Sequence, residues 1–112
     1  MSDLANRRCQ SCNPSTPKLT DAQIEALCPQ APEWQVCGEH LHRQYHFRDF
    51  VTAIRFVDEM ARIAESEQHH PVFTVDYDKV DVENWTHAID ALSENDFILA
   101  AKLDLAAAAL RA

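Results

Sequence analysis

The chain has 112 residues, and its 10 lysines and arginines are outnumbered by 18 aspartates and glutamates, which gives a formal charge of −8 with neutral histidine. A chain of this length forms one hydrophobic core, so a two-domain enzyme with a nucleotide-binding fold is excluded. The composition, 46% apolar and 25% charged, is typical of a folded globular domain. An acidic surface repels phosphate backbones and the sequence shows no basic patch, so we expect no nucleic-acid partner.

The sequence also gives no sign of membrane insertion or export. Its longest uninterrupted apolar stretch, Leu105 to Leu110, is much shorter than the roughly 18 apolar residues that a membrane-spanning helix needs. The N-terminal residues lack the apolar core of a signal peptide. We therefore expect a cytoplasmic protein with no membrane partner. Because Gly38 is the single glycine, a glycine-rich phosphate-binding loop is excluded as well.

The N-terminal residues 1–18 are polar, contain two prolines and show no hydrophobic period. They predict a flexible arm, followed by a single domain over residues 19–112. The arm carries one C-x-x-C pair, Cys9 and Cys12, and the sequence has no second pair of this kind. Reduced thiols are the expected state in the cytoplasm. A zinc site that combines this pair with the other two cysteines is an alternative.

Local signals predict a first helix and a hairpin at the start of the domain. A capping box formed by Thr20 and Gln23 begins a short helix that ends near Cys28. Two β-prone runs, Glu33–Cys37 and Leu41–Phe47, then lie on either side of the single glycine and predict a hairpin.

The clearest predicted element is a helix from Phe50 to about Gln68, capped by Asp49. Apolar side chains at helical spacing form a stripe that should face the sheet, while charged side chains occupy the opposite face. The stripe comprises Ala53, Ile54, Val57, Ala61 and Ala64. Pro71 disfavours helical geometry at His70, so the helix should end at the histidine pair.

A second β-prone pair follows, Val72–Tyr77 and Lys79–Trp85, and Ser93 with Asp96 forms a capping box for a last helix over residues 94–111. The order α-β-β-α-β-β-α predicts an α+β fold, with a four-stranded antiparallel sheet and three helices packed on one face. The last helix is apolar on more than one side, which usually means a second contact surface, so we expect a homo-oligomer.

Three histidines carry the strongest chemical signal. His69 and His70 precede the second strand pair and His87 follows it, so antiparallel pairing should bring all three together. Glu65 lies one helical turn before His69, where it can hold the imidazole, and Asp96 lies at the start of the last helix. Because histidine titrates near neutral pH, such a cluster can supply an acid and a base together, as the removal of water requires.

The residue types and their spacing also allow two alternatives to a catalytic cluster. His69 and His70 also suit the negative C-terminal end of the long helix, and capping alone accounts for Asp96. A zinc site at the histidines is the other alternative. Successive side chains of an extended segment point apart, so His69 and His70 are not expected to bind one ion, and we predict no metal site.

Several runs of the sequence match one known family. The run from Glu65 to Pro71 reads Glu-x-x-x-His-His-Pro, and a Thr-His pair follows at Thr86 and His87. Together with the runs from Tyr45 to Phe50 and from Leu92 to Phe97, and with Phe73, Tyr77, Lys79 and Val80, these residues resemble the pterin-4a-carbinolamine dehydratases. The resemblance extends over residues 19–112.

The resemblance implies a hydro-lyase that needs neither a metal nor another cofactor. Its reaction converts 4a-hydroxytetrahydropterin, such as 4a-hydroxytetrahydrobiopterin, to quinonoid dihydropterin and water, and so recycles the cofactor of aromatic amino acid hydroxylases. Carried onto this chain, His69 and His87 are acid and base in either order, His70 holds the pterin, and Glu65 and Asp96 orient the imidazoles. The implied substrate-binding residues are Gln68, His69, His70, Pro71, Phe73, Trp85, Thr86 and His87.

The family resemblance also implies the predicted fold and assembly as a dimer or tetramer. Position 73 is Phe73 where many relatives have tryptophan, and the arm with Cys9 and Cys12 lies outside the shared domain. Some members also bind transcription factors, so a dimerisation cofactor or transcriptional coactivator is the main alternative function. A metal-binding module built from the arm cysteines and the histidines is a third.

Overall fold

The computed structural model describes residues 4–111. Four strands form one antiparallel sheet, and the elements follow the order α-β-β-α-β-β-α, so the predicted α+β fold is confirmed. The helices are α1 (Asp21–Leu27), α2 (Phe50–Glu67) and α3 (Glu94–Arg111). The strands are β1 (Gln35–Cys37), β2 (His40–His46), β3 (Val72–Asp76) and β4 (Lys79–Asn84).

The sheet has one apolar face, which the helices cover. Its strand order is β1-β2-β4-β3, with β2 and β4 in the centre. Along β4, Val80 and Val82 are fully buried while the alternate residues are half-exposed, as expected for a strand with one face in the core. Leu41 and Tyr45 of β2 join the same core cluster, and Tyr45 pairs with Val80 across the two strands.

Helix α2 begins where Asp49 accepts a hydrogen bond from the Thr52 backbone N–H at 2.8 Å. Its buried face differs from the predicted stripe, because Ile54 and Val57 are half-buried and Ala61 is exposed. The bulky side chains determine the orientation of the helix. The buried residues are Thr52, Ala53, Phe56, Met60 and Ala64, and the Phe56 ring lies 4.5 Å from that of Tyr45 and 5.1 Å from that of Phe47.

Part of the N-terminal segment that the sequence predicts as a flexible arm packs against the domain. Residues Leu4–Asn6 form a 3-10 turn, and Leu4 is completely buried in the same core as α3. The Nζ of Lys102 donates to the carbonyl of Ala5 at 2.8 Å. A three-residue turn has no hydrophobic period, so the pattern of the sequence does not reveal it.

The same turn accounts for part of the apolar surplus on α3. The buried residues of α3 lie on more than one side of the helix. The side that does not face the sheet packs partly against the turn at Leu4. Leu105 is the most exposed large apolar side chain of α3, at 63%. None of the helices within residues 4–111 combines the length and the apolarity needed to span a membrane.

Candidate active site

The end of helix α2 directs the His69 side chain toward the interior of the protein. Gln68 adopts the left-handed conformation, with φ 53° and ψ 41°, and its backbone N–H reaches back to the carbonyls of Ala64 and Glu65. The His69 N–H donates to the Ala64 carbonyl at 3.0 Å. The helix stops at this turn. The His69 side chain is therefore buried, and its Nε2 lies 2.6 Å from Oδ1 of Asp96.

Asp96 is fully buried in the first turn of α3 and makes several hydrogen bonds. Its Oδ2 accepts from the Ser93 backbone N–H and from the Thr86 hydroxyl, both at 2.9 Å. Its backbone carbonyl accepts from Nδ2 of Asn84 at 2.9 Å. One carboxylate oxygen thus holds the His69 ring while the other is fixed by groups from a loop and from the helix start.

The predicted capping box of α3 is only half formed. Asp96 accepts from the Ser93 N–H, but the Ser93 hydroxyl lies 2.6 Å from the Thr86 hydroxyl and the Asp96 N–H donates to the Ser93 backbone carbonyl. The capping interpretation of Asp96 is therefore incomplete, because its second carboxylate oxygen is bound to His69.

The prediction that Glu65 holds His69 is wrong. Glu65 Oε1 lies 2.9 Å from Nε2 of His70, and both of these side chains are exposed. The prediction assumed that the helix continues to His69, whereas the left-handed Gln68 ends it. The hydrogen bond and the charge of His70 lower the pKa of Glu65 below its ordinary value.

His87 lies beside His70, as antiparallel pairing of the two strands predicts. Its Nε2 is 3.2 Å from the His70 backbone carbonyl. A carbonyl can only accept, so this nitrogen carries the hydrogen in the contact. The His87 ring also lies 4.3 Å from the ring of Trp85, which stacks on His40 at 3.9 Å. Trp85 is therefore a support for His87.

These side chains surround a cavity of about 360 Å³. Three chain segments line it: residues 10–12, 68–70 and 86–88. The lining residues are Gln10, Cys12, Gln68, His69, His70, Thr86, His87 and Ala88. Of the predicted set, the structure thus brings together Gln68, the three histidines and Thr86.

The other predicted site residues lie outside this lining. Three of them each contact one of the histidines: Asp96 contacts His69, Glu65 contacts His70, and the Trp85 ring contacts the His87 ring. Pro71, which follows His69 and His70 in the chain, is half-buried, and Phe73 is 42% exposed on β3. Residues Gln10 and Cys12 were missed as lining residues, because the arm that carries them shows no hydrophobic period; the C-x-x-C pair was the one available signal.

A larger depression, of about 480 Å³, lies between α1 and the first hairpin. Its ionisable side chains are Lys18, Asp21, Glu25 and Glu39. The lining of this depression contains no histidine. Within residues 4–111, no three histidine, cysteine or carboxylate side chains converge to hold a metal ion.

The arrangement at the histidines suits proton transfer. Asp96 engages Nε2 of His69, which leaves Nδ1 as the second nitrogen of that ring. The His70 carbonyl engages Nε2 of His87 in the same way. Each ring is therefore held through one nitrogen while the other can give or take a proton.

Comparison with known proteins points to one family. The family profile described as "Pterin 4 alpha carbinolamine dehydratase" matches residues 17–106. Relatives from Marinobacter nauticus and Gloeobacter violaceus, both provisionally named pterin-4-alpha-carbinolamine dehydratases, are 40% and 41% identical; the matches cover 93% and 95% of this chain and 97% and 95% of the relatives.

A solved structure matches as well. The crystal structure of a protein from Brucella melitensis, described as a "transcriptional coactivator/pterin dehydratase", superposes with a TM-score of 0.78 at 33% identity. The match covers 81% of this chain and 99% of that one. The profile, the relatives and the structure agree, and the chain belongs to the pterin 4 alpha carbinolamine dehydratase family.

Proposed function

We propose that this protein dehydrates a 4a-hydroxytetrahydropterin to quinonoid dihydropterin, and so recycles the cofactor of an aromatic amino acid hydroxylase. The observation that carries the proposal is the cavity that His69, His70 and His87 share, in which buried Asp96 holds the ring of His69. The names of the relatives support the substrate class.

The reaction is a pair of proton transfers around one bond cleavage. An imidazolium gives its proton to the hydroxyl on C4a, and the C4a–O bond breaks to release water. A neutral imidazole takes the proton from N5, whose electron pair forms the N5=C4a double bond. His69 and His87 supply this acid and base. Either order is chemically equivalent, because each ring is held through Nε2 and keeps Nδ1 for the proton transfer.

His70 has a different role in the proposal. Its side chain is exposed at the cavity and tied to Glu65, so it is placed to contact the pterin ring and not to replace the buried His69. A cytoplasmic location and a homo-oligomer, dimer or tetramer, belong to the same proposal.

A protein-binding role is the second candidate. The Brucella melitensis protein is described as a transcriptional coactivator as well as a dehydratase, and helix α2 of this chain exposes Phe50 and Val51 at 48% and 59%. Such apolar exposure suits a partner helix. This role does not require the histidines, so substitutions at the cavity distinguish it from dehydration.

The direct test generates the carbinolamine with a phenylalanine hydroxylase and tetrahydrobiopterin. Its conversion to quinonoid dihydropterin is then followed by ultraviolet absorbance with and without this protein. We expect the conversion to accelerate in proportion to the protein concentration. Conversion at the spontaneous rate over the whole concentration range would reject the proposed function.

A further inference from the structure

The N-terminal segment reaches the cavity because a series of polar contacts ties it down. The Cys9 backbone N–H donates to Oε1 of Glu67 at 2.7 Å, and the other oxygen of Glu67 lies 3.1 Å from Nε of Arg8. The Glu67 side chain is only 5% exposed. Together with buried Leu4, these contacts fix the path of the chain up to residue 9.

Asn95 then holds Gln10 and Cys12. Its Oδ1 accepts from the Gln10 backbone N–H at 2.9 Å, and its Nδ2 donates to the Gln10 carbonyl at 2.7 Å and to Cys12 Sγ at 3.0 Å. Asn95 is itself 5% exposed. The amide therefore pairs with both backbone groups of one residue and with the side chain of another.

Asn95 and Asp96 are neighbours in the first turn of α3, and they point to different parts of the site. Successive helical residues project about 100° apart, so one holds the N-terminal segment while the other holds His69. The same turn of helix thus positions two of the three segments that line the cavity.

We propose that Gln10 and Cys12 form part of the pterin-binding site, and that Asn95 is the residue that positions them. This inference rests on the proposed function. The hydrogen bonds of Gln10 within residues 4–111 use its backbone, so its side-chain amide is available with one acceptor and two donors. The amino-oxo pyrimidine edge of a pterin presents the complementary donors and acceptors.

Cys12 provides a chemical probe of this segment. Iodoacetamide labelling, followed by peptide mass spectrometry, measures each of the four free thiols separately. At about ten times the dissociation constant of 7,8-dihydrobiopterin, measured beforehand by calorimetry, we expect the labelling of Cys12 to slow by about tenfold. The exposed Cys37 on β1 should label at an unchanged rate and is the internal control.

The Asn95→Ala variant tests the positioning role. Releasing Gln10 and Cys12 should raise KM for the carbinolamine by about tenfold and leave kcat within about twofold. Arg7→Ala is the matched control, because it removes the exposed ion pair with Glu94 in the same segment and leaves Gln10 in place. Its KM should equal that of the wild type.

The outcomes separate this inference from the proposed function. If dehydration is accelerated but Cys12 labels equally fast with bound dihydrobiopterin, the inference is wrong and the proposed function stands. An Asn95→Ala variant that loses kcat at unchanged KM also overturns the inference, since Asn95 would then act through Asp96. If the protein neither binds dihydrobiopterin nor accelerates dehydration, both fail.

Discussion

Nε2 of His69 lies 2.6 Å from Oδ1 of Asp96, and both side chains are buried. The two residues are far apart in the chain, at the end of α2 and the start of α3. A buried carboxylate that binds one ring nitrogen sets both the tautomer and the orientation of a histidine. The geometry that we propose for proton transfer therefore depends on how α3 begins.

Asp96→Asn should lower kcat by about 10- to 100-fold, because an amide no longer offers an acceptor-only group to His69 and to the Thr86 hydroxyl. The measurement is steady-state dehydration, with circular dichroism to show that the variant is folded. A folded Asp96→Asn variant with the wild-type kcat would show that this pair does not orient the acid or base.

Asp104→Asn is a matched substitution on the same helix with the opposite expected result. Oδ1 of Asp104 accepts hydrogen bonds from Trp34, Arg43 and Tyr45 at 2.9, 2.7 and 2.5 Å, away from the cavity. We expect the free energy of unfolding to fall by about 2 kcal/mol, measured by urea denaturation, while kcat stays within about twofold. Unchanged stability would contradict this assignment.

Glu67 should make the attachment of the N-terminal segment sensitive to pH. Burial opposes its ionisation, but the Cys9 N–H and the charges of Lys102 and Arg8 outweigh burial and lower its pKa below the ordinary 4.5. A lowered carboxyl pKa stabilises the fold above pH 4.5, and this contribution is lost as the pH falls through the lowered value.

Glu67→Gln should therefore reduce the free energy of unfolding by about 1 to 2 kcal/mol at neutral pH, and the difference from the wild type should shrink as the pH falls below 4.5. Urea denaturation at a series of pH values measures both proteins. A difference that is independent of pH would show that the charge of Glu67 does not hold the segment.

Cys9 should react with alkylating reagents more slowly than the exposed Cys37. Burial, followed by the nearby Glu67 carboxylate, raises its pKa to about 12, so only about one molecule in 10⁴ carries a thiolate at pH 8. We expect iodoacetamide to label the exposed Cys37 at least about tenfold faster than Cys9 at pH 8. Equal rates would mean that the N-terminal segment leaves the protein surface readily.

The order of the elements could be predicted because each helix and strand has its own local signal. Asp49 and Thr20 both cap helices as their positions in the sequence predict. The buried face of α2 was less predictable, since Phe56 and Met60 and not the aliphatic stripe decide which side packs. Periodicity counts apolar positions, whereas packing also depends on side-chain volume.

The histidine cluster could be predicted from strand pairing, and the family resemblance named Glu65 and Asp96 as its partners, but the ring that each carboxylate contacts could not be predicted. Gln68 adopts the left-handed conformation, so the helix ends before His69. Glu65 therefore contacts His70, whereas the sequence predicts a contact with His69. The pairing of His69 with Asp96 and the contribution of Cys12 to the cavity depend on tertiary contacts between distant segments. Neither has a spacing that sequence alone reveals.

The most direct test of the central claim compares His69→Ala and His87→Ala with His42→Ala in the carbinolamine assay. His42 lies on β2 outside the cavity lining, near Asp81, so it controls for the loss of an imidazole elsewhere on the protein. We predict that kcat falls by about 10²- to 10⁴-fold in each of the first two variants and stays unchanged in the third. Wild-type rates in folded His69→Ala and His87→Ala proteins would contradict histidine acid–base catalysis at this site.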